Sequence, residues 1–248
     1  MCRMIFALGN INPNQLIDQL ILMAKDQTEI HEYNRKSGKG TFKHKEGWGI
    51  AYLNKNNNWV VKKSVTPIYD DLSIDKLRNI KTKLMILHVR KATKGIVSLN
   101  NCHPFEKDEF VFFHNGTVND KIEDIDHSEL KGNTDSERVF HSLLNDLKNT
   151  NYSENIQTIK TIIRKKINSY HDYSAINFIL SNKSETFICN YYKKNPEYFK
   201  MNIARKRDSL IISSEIFETF SGHKWEKMKN GKLITIDHKK ILEMLKIS

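Results

Sequence analysis

Apolar side chains along this chain gather in short runs separated by polar stretches. Met4–Leu8, Trp48–Leu53, Trp59–Val65, Leu84–Val89, Phe110–His114, Ala175–Leu180, Thr186–Tyr191 and Leu210–Ser213 are rich in β-branched and aromatic residues and too short for ordinary helices, so each predicts a strand. Helical spacing of apolar positions appears instead over Asn14–Lys25, Asp135–Leu147 and Ile156–Ile167, with a short terminal helix predicted at Lys239–Leu245. The strands arrive in groups and do not alternate strictly with helices. This pattern predicts an α+β fold in which antiparallel sheets are covered by helices, and argues against a doubly wound parallel sheet.

With four prolines and ten glycines, no Ser/Gly/Pro-rich linker and no fixed-period repeat, residues 1–248 are expected to form one domain. The polar segment Glu29–Lys45 carries Gly38 and Gly40 and precedes Gly47-Trp48-Gly49, so it reads as a mobile loop. A lid over a site and a plain surface excursion both fit it.

Composition narrows the function classes. At 39% apolar residues the chain can bury a core. Its longest apolar runs, such as Leu84–Leu87 and Phe110–Phe113, fall far short of the ~20 residues that span a bilayer. The opening MCRMIFALGN lacks a small-residue cleavage site, so no membrane association and a cytoplasmic location are expected. The formal charge of +11 raises the question of nucleic acid. The basic residues are scattered, however, and do not interleave with aromatics, which predicts a solvated lysine-rich surface and no specific nucleic-acid partner. Cys2, Cys102 and Cys189 form neither a disulfide framework nor a paired metal motif, so all are expected as reduced thiols.

Cys2 stands out by position. Removal of Met1 would leave one residue with both a thiol and a free α-amine. Such an amine titrates near 7.7–8.0, so it can serve as a base at neutral pH where a lysine cannot. Arg90 closes the strand ending in His88-Val89, where its planar fork suits a carboxylate. The dipeptide Asn115-Gly116 follows His114 and offers a side-chain amide and an unobstructed N–H, a pair suited to an oxyanion, although an Asn-Gly turn is the plainer reading. Asp135 opens a helix and could simply cap it. His103, Cys102 and His114 carry metal-ligating groups but lack paired ligand spacing, so no metal and no other cofactor is expected.

Taken in order, the Met-Cys start, Gly47-Trp48-Gly49, His88-Val89-Arg90 with Ala92-Thr93 and Gly95, Asn101 with His103-Pro104-Phe105, His114-Asn115-Gly116 and Asn133-Thr134-Asp135-Ser136-Glu137 resemble the motifs of class II glutamine amidotransferase domains. Weaker echoes follow at Asn177-Phe178-Ile179-Leu180-Ser181 and Ser213-Ser214-Glu215. The resemblance implies the four-layer αββα sandwich of the N-terminal nucleophile (Ntn) hydrolases. It also implies roles: Cys2 attacks the side-chain amide of glutamine to give a γ-glutamyl thioester, and Asn115 with Gly116 forms the oxyanion hole. Arg90 would bind the substrate α-carboxylate and Asp135 its α-ammonium, with Thr93 and His103 in the same substrate-binding set.

The Met-Cys-Arg start and His-Pro-Phe look more similar to the stand-alone branch of the family, with no attached synthase module expected. Ammonia would then pass to a separate synthase subunit or to solvent. Three readings remain open: hydrolysis of free glutamine, cleavage of a substituted γ-glutamyl amide or peptide, and a catalytically silent binding protein on the same fold.

Overall fold

The computed structural model describes residues 2–28, 38, 42–148, 156–217, 222 and 224–247. Most of the predicted loop Glu29–Lys45 therefore lies outside the described residues.

Among the described residues, twelve strands form two antiparallel sheets. The larger sheet contains β1 (Arg3–Gly9), β2 (Trp48–Leu53), β3 (Trp59–Ser64), β4 (Leu84–Val89), β9 (Asn202–Lys206), β10 (Ser209–Ser213) and β11 (Lys224–Lys227), ordered β11-β9-β10-β1-β4-β2-β3. The smaller contains β5 (Phe105–Lys107), β6 (Phe110–Val118), β7 (Tyr173–Ser181), β8 (Glu185–Asn190) and β12 (Lys232–Asp237), ordered β12-β8-β7-β6-β5.

Side-chain alternation along β1 shows why the sheets stack. Met4, Phe6 and Leu8 join Ile86, Val111, Phe113, Ile179 and Ile212 in a core between the sheets, while Ile5 and Ala7 point the other way. That outer face is covered by α1 (Pro13–Lys25), through Leu16, Ile17, Leu20 and Met23. On the outer face of the smaller sheet, Phe112, Phe178 and Phe187 pack with Phe140 and Leu144 of α2 (Asp135–Lys148) and Ile163 of α3 (Ile156–Ser169). A short α4 (Pro196–Phe199) and a terminal α5 (His238–Ile247) are the remaining α-helices among the described residues. Helix, sheet, sheet and helices make the αββα sandwich of the α+β class. Because both sheets are buried on both faces, their central strands read as nearly continuous apolar runs.

The predicted strands and helices are present, with two kinds of correction. β6 does not stop at His114 but runs on to Val118, so Asn115-Gly116 is strand and not a turn. Strands β5, β9, β11 and β12 and helix α4 were not predicted, because they are short or carry lysines and arginines at exposed positions.

At Gly49 the backbone is approached closely by the segment leading into β5. A Cβ built there would lie 1.7 Å from the carbonyl oxygen of His103, which is backbone and has little room to yield. Gly49→Ala is expected to lower the unfolding free energy by at least about 1–3 kcal/mol. The denaturant midpoint would fall while the slope of the transition stays unchanged.

Candidate active site

Cys2 and Asn115 belong to different sheets, which share no backbone ladder. Cys2 precedes β1 in the phase of Met4 and Phe6, and Asn115 follows Val111 and Phe113 along β6, so both occupy inward-facing positions. At one end of the sandwich they meet: the backbone nitrogen of Cys2 donates to Asn115 Oδ1 at 2.8 Å. With Oδ1 committed, Asn115 retains its Nδ2 donors. The β6–β7 register slips between Gly116 and Val118, an irregularity of the kind that releases backbone N–H groups from a ladder. Gly116 is required there, since a Cβ would fall 1.8 Å from the Ala175 carbonyl oxygen.

A second contact ties the sheets beside this pair. His88, on β4 opposite Met4, reaches across so that its Nε2 donates to the His114 carbonyl at 3.3 Å. The carbonyl can only accept, so Nε2 carries the proton. Burial pushes His88 down to about 3, with the charge of Arg90 adding to the effect and the bond to His114 opposing it. Burial likewise lowers His114 to about 4 against the pull of Asp135, and holds His103 well below its ordinary value. All three rings are therefore neutral at pH 7.

This has a consequence for acid stability. In the unfolded chain these imidazoles take up protons near pH 6.5. Between pH ~6.5 and the lowered folded values, the unfolded state binds more protons, so stability is fully present above ~6.5 and is lost as pH falls. Each ring contributes a slope of up to about 1.4 kcal/mol per pH unit. Melting temperature is expected to decline steadily from pH 7 to pH 4, and a flat profile would contradict the buried neutral assignment.

Arg90, buried at the end of β4, lies where the Arg3–Val89 pairing, extended by one residue, would place Cys2 opposite it. Its guanidinium donates to the carbonyls of Lys94 at 2.9 Å and of Gly95 and Ile96 at 3.3 Å, shaping the turn that follows. Asn101 stitches this turn to the approach of α2: its Nδ2 donates to Ile96 O and Asn133 Oδ1, and its Oδ1 accepts from the Asn133 N–H.

Asp135 is the first residue of α2, but the side chain at its start that accepts from Glu137 N is Thr134 Oγ1. The capping reading of Asp135 therefore gives way. Its Oδ2 instead accepts from Val118 N at 2.7 Å, just past Asn115 and Gly116, and Lys94 Nζ donates to Val118 O. Thr93 is joined to Thr117 through their hydroxyls at 3.1 Å.

The fold thus gathers Cys2, Arg90, Thr93, Asn115, Gly116 and Asp135 around neighbouring strand and helix ends. His103 sits behind them. Its ring is buried between His88 at 4.2 Å and Phe105 at 4.8 Å, and neither ring nitrogen has a partner. Among the described residues no group of three His, Cys, Asp or Glu side chains is placed to hold a metal ion.

One polar cluster at the site was not foreseen. Arg3 is almost fully buried, pairs through Nε with Glu215 Oε1 at 2.5 Å, and lies 3.6 Å above the ring of Tyr198. Arg3 Nη1 and the Tyr198 hydroxyl each approach the Cys2 carbonyl at 3.5 Å, and the same hydroxyl meets His44 Nε2 at 3.2 Å. The backbone of Cys2 is therefore held on both sides, by Asn115 at its nitrogen and by this cluster at its carbonyl. The sequence signal was a charged residue at the start of an otherwise apolar strand.

Cys2 and an Asn-Gly pair thus meet at one end of the central strands of an αββα sandwich. Among solved structures the chain resembles a glutamine aminotransferase class-II domain protein from Silicibacter pomeroyi, at TM-score 0.59 and 17% identity over 96% of each chain. It also resembles the allosteric regulatory enzyme of purine biosynthesis, at TM-score 0.63 and 18% identity, covering 96% of this chain and 47% of the larger one. A curated "Putative glutamine amidotransferase" of Haemophilus influenzae is 29% identical over 231 residues, 82% of this chain and 77% of that protein. The profile of the class-II glutamine amidotransferases matches residues 27–194, more than half of the chain. The protein belongs to the class-II glutamine amidotransferases, enzymes that hydrolyse or transfer the amide of glutamine.

Proposed function

We propose that this protein hydrolyses the side-chain amide of glutamine, or of a γ-glutamyl compound, through a thioester on Cys2, with Met1 removed from the mature chain. The observation that carries this reading is the 2.8 Å contact between the Cys2 nitrogen and Asn115, which brings together groups contributed by separate sheets.

In the proposed reaction the α-amine of Cys2 takes the thiol proton as sulfur attacks the amide carbon. Negative charge develops on the amide oxygen, where Asn115 Nδ2 and the Gly116 N–H are the donors. Collapse of the tetrahedral species breaks the carbon–nitrogen bond, and the proton held by the α-amine leaves with ammonia. Water then adds to the thioester, again giving its proton to the α-amine, and glutamate departs as the thiol is restored. Arg90 faces the substrate α-carboxylate and Asp135 its α-ammonium. Thr93 is proposed to line the same subsite, and His103 to support it from behind His88.

The ammonia released is proposed to pass to a separate synthase subunit or to solvent. No described helix is long and apolar enough to cross a membrane. The reaction is proposed to take place in the cytoplasm, a reducing compartment that suits three free cysteines.

A coupled assay on purified protein separates the substrate readings. Ammonia release from glutamine is expected. Glutamate release only from γ-glutamyl compounds carrying a substituted amide, with the amine as co-product, would assign the substrate to that group, and glutamate release from neither would reject amide hydrolysis.

A further inference from the structure

The end of the sandwich opposite Cys2 is not closed. Counting ~3.3 Å per residue along β1, Leu8 lies roughly 20 Å from Cys2. There the loops after β1, β7 and β9, the β2–β3 hairpin, the residues before β4 and helix α5 surround a cavity of about 810 Å³. This size falls in the range of small-molecule sites, roughly 300–1,000 Å³.

Two features of its lining decide the ligand chemistry. The floor continues the core between the sheets through Leu8, Leu53, Leu84 and Leu242. The rim carries Lys55, Lys81, Lys83 and Lys183, against one carboxylate, Asp208. Asp208 is occupied by the Asn10 amide at 2.8 Å. Among the described residues no carboxylate forms an ion pair with any of the four lysines, and the only side-chain partner of Lys183 is the neutral Asn58. His238, also in the lining, is kept neutral by burial and bonds to Thr186 and the Lys183 carbonyl, so the positive charge of the lining comes from the lysines. Uncompensated positive charge at the mouth of an apolar cavity favours an anion whose non-polar body can leave water.

We propose that this cavity is a second binding site, separate from the catalytic end, for a small soluble organic anion that carries an apolar body. The charged group sits among the four lysines and the body lies on the leucine floor.

Fluorescence titration with anilinonaphthalenesulfonate, which joins an aromatic body to a fixed negative charge, tests this on the full chain. Saturable binding with blue-shifted emission is expected at low salt. Reversing two exposed rim charges with Lys81→Glu and Lys83→Glu should weaken it at least about tenfold, roughly 1.4 kcal/mol, in a variant that keeps the wild-type melting curve and glutamine hydrolysis. The uncharged analogue phenylnaphthylamine should bind at least about tenfold more weakly than the sulfonate. Absence of saturable binding, equal affinity in the charge-reversed variant, or equal affinity for the neutral analogue would each overturn the proposal.

Discussion

Cys2→Ala is expected to abolish amide hydrolysis while leaving the fold in place. No other thiol can substitute. Cys189 is fully buried and its thiol is pushed well above its ordinary value by burial, and burial likewise raises Cys102, which lies against the carbonyls of Glu46, Ser64 and Ser98. An alanine at position 2 retains the backbone nitrogen that donates to Asn115 and the carbonyl near Arg3 and Tyr198, so the surrounding contacts survive. The variant should melt within a few degrees of wild type and release no ammonia above background. Residual turnover at even a few per cent of wild type would place the nucleophile elsewhere.

Asn115→Ala removes a donor proposed to meet the charge formed in the transition state. Loss of one such donor costs about 2.7–4 kcal/mol, or roughly 10²–10³ in kcat. The same substitution deletes the acceptor of the Cys2 nitrogen, which loosens the contact between the sheets at the site. Because Arg90 and Asp135 lie on other elements, KM should change far less than kcat. A variant with normal kcat would reject the oxyanion role, and one with a raised KM alone would assign Asn115 to substrate binding.

Central strands were legible in the sequence because the sandwich buries both faces of each sheet, which makes β1, β4 and the first half of β6 read as apolar runs. The edges were less so. Lys-Trp-Glu-Lys of β11 and Asn-Ile-Ala-Arg-Lys of β9 are defined by pairing with each other and with β10, and their exposed charges resemble those of a loop. The second half of β6 was hidden by its composition, since His-Asn-Gly-Thr resembles a turn until β7 is present beside it.

At the site, the order of polar motifs at strand and helix ends was enough to propose which residues act together. Position along the chain could not distinguish Asp135 as a cap from Asp135 as the acceptor of Val118 N–H, because that partner lies across the fold. Arg3 was still less accessible. A guanidinium at the first position of an otherwise apolar strand makes physical sense only with Glu215, 212 positions away, beside it.

Incubation with a glutamine analogue that carries an electrophilic ketone in place of the amide, followed by peptide mass spectrometry, tests the chemistry most directly. One adduct is expected, on a peptide whose first residue is Cys2, with Cys102 and Cys189 unmodified. A chain that retains Met1, or a Cys2 thiol left free while the analogue labels another residue, would contradict the proposed nucleophile.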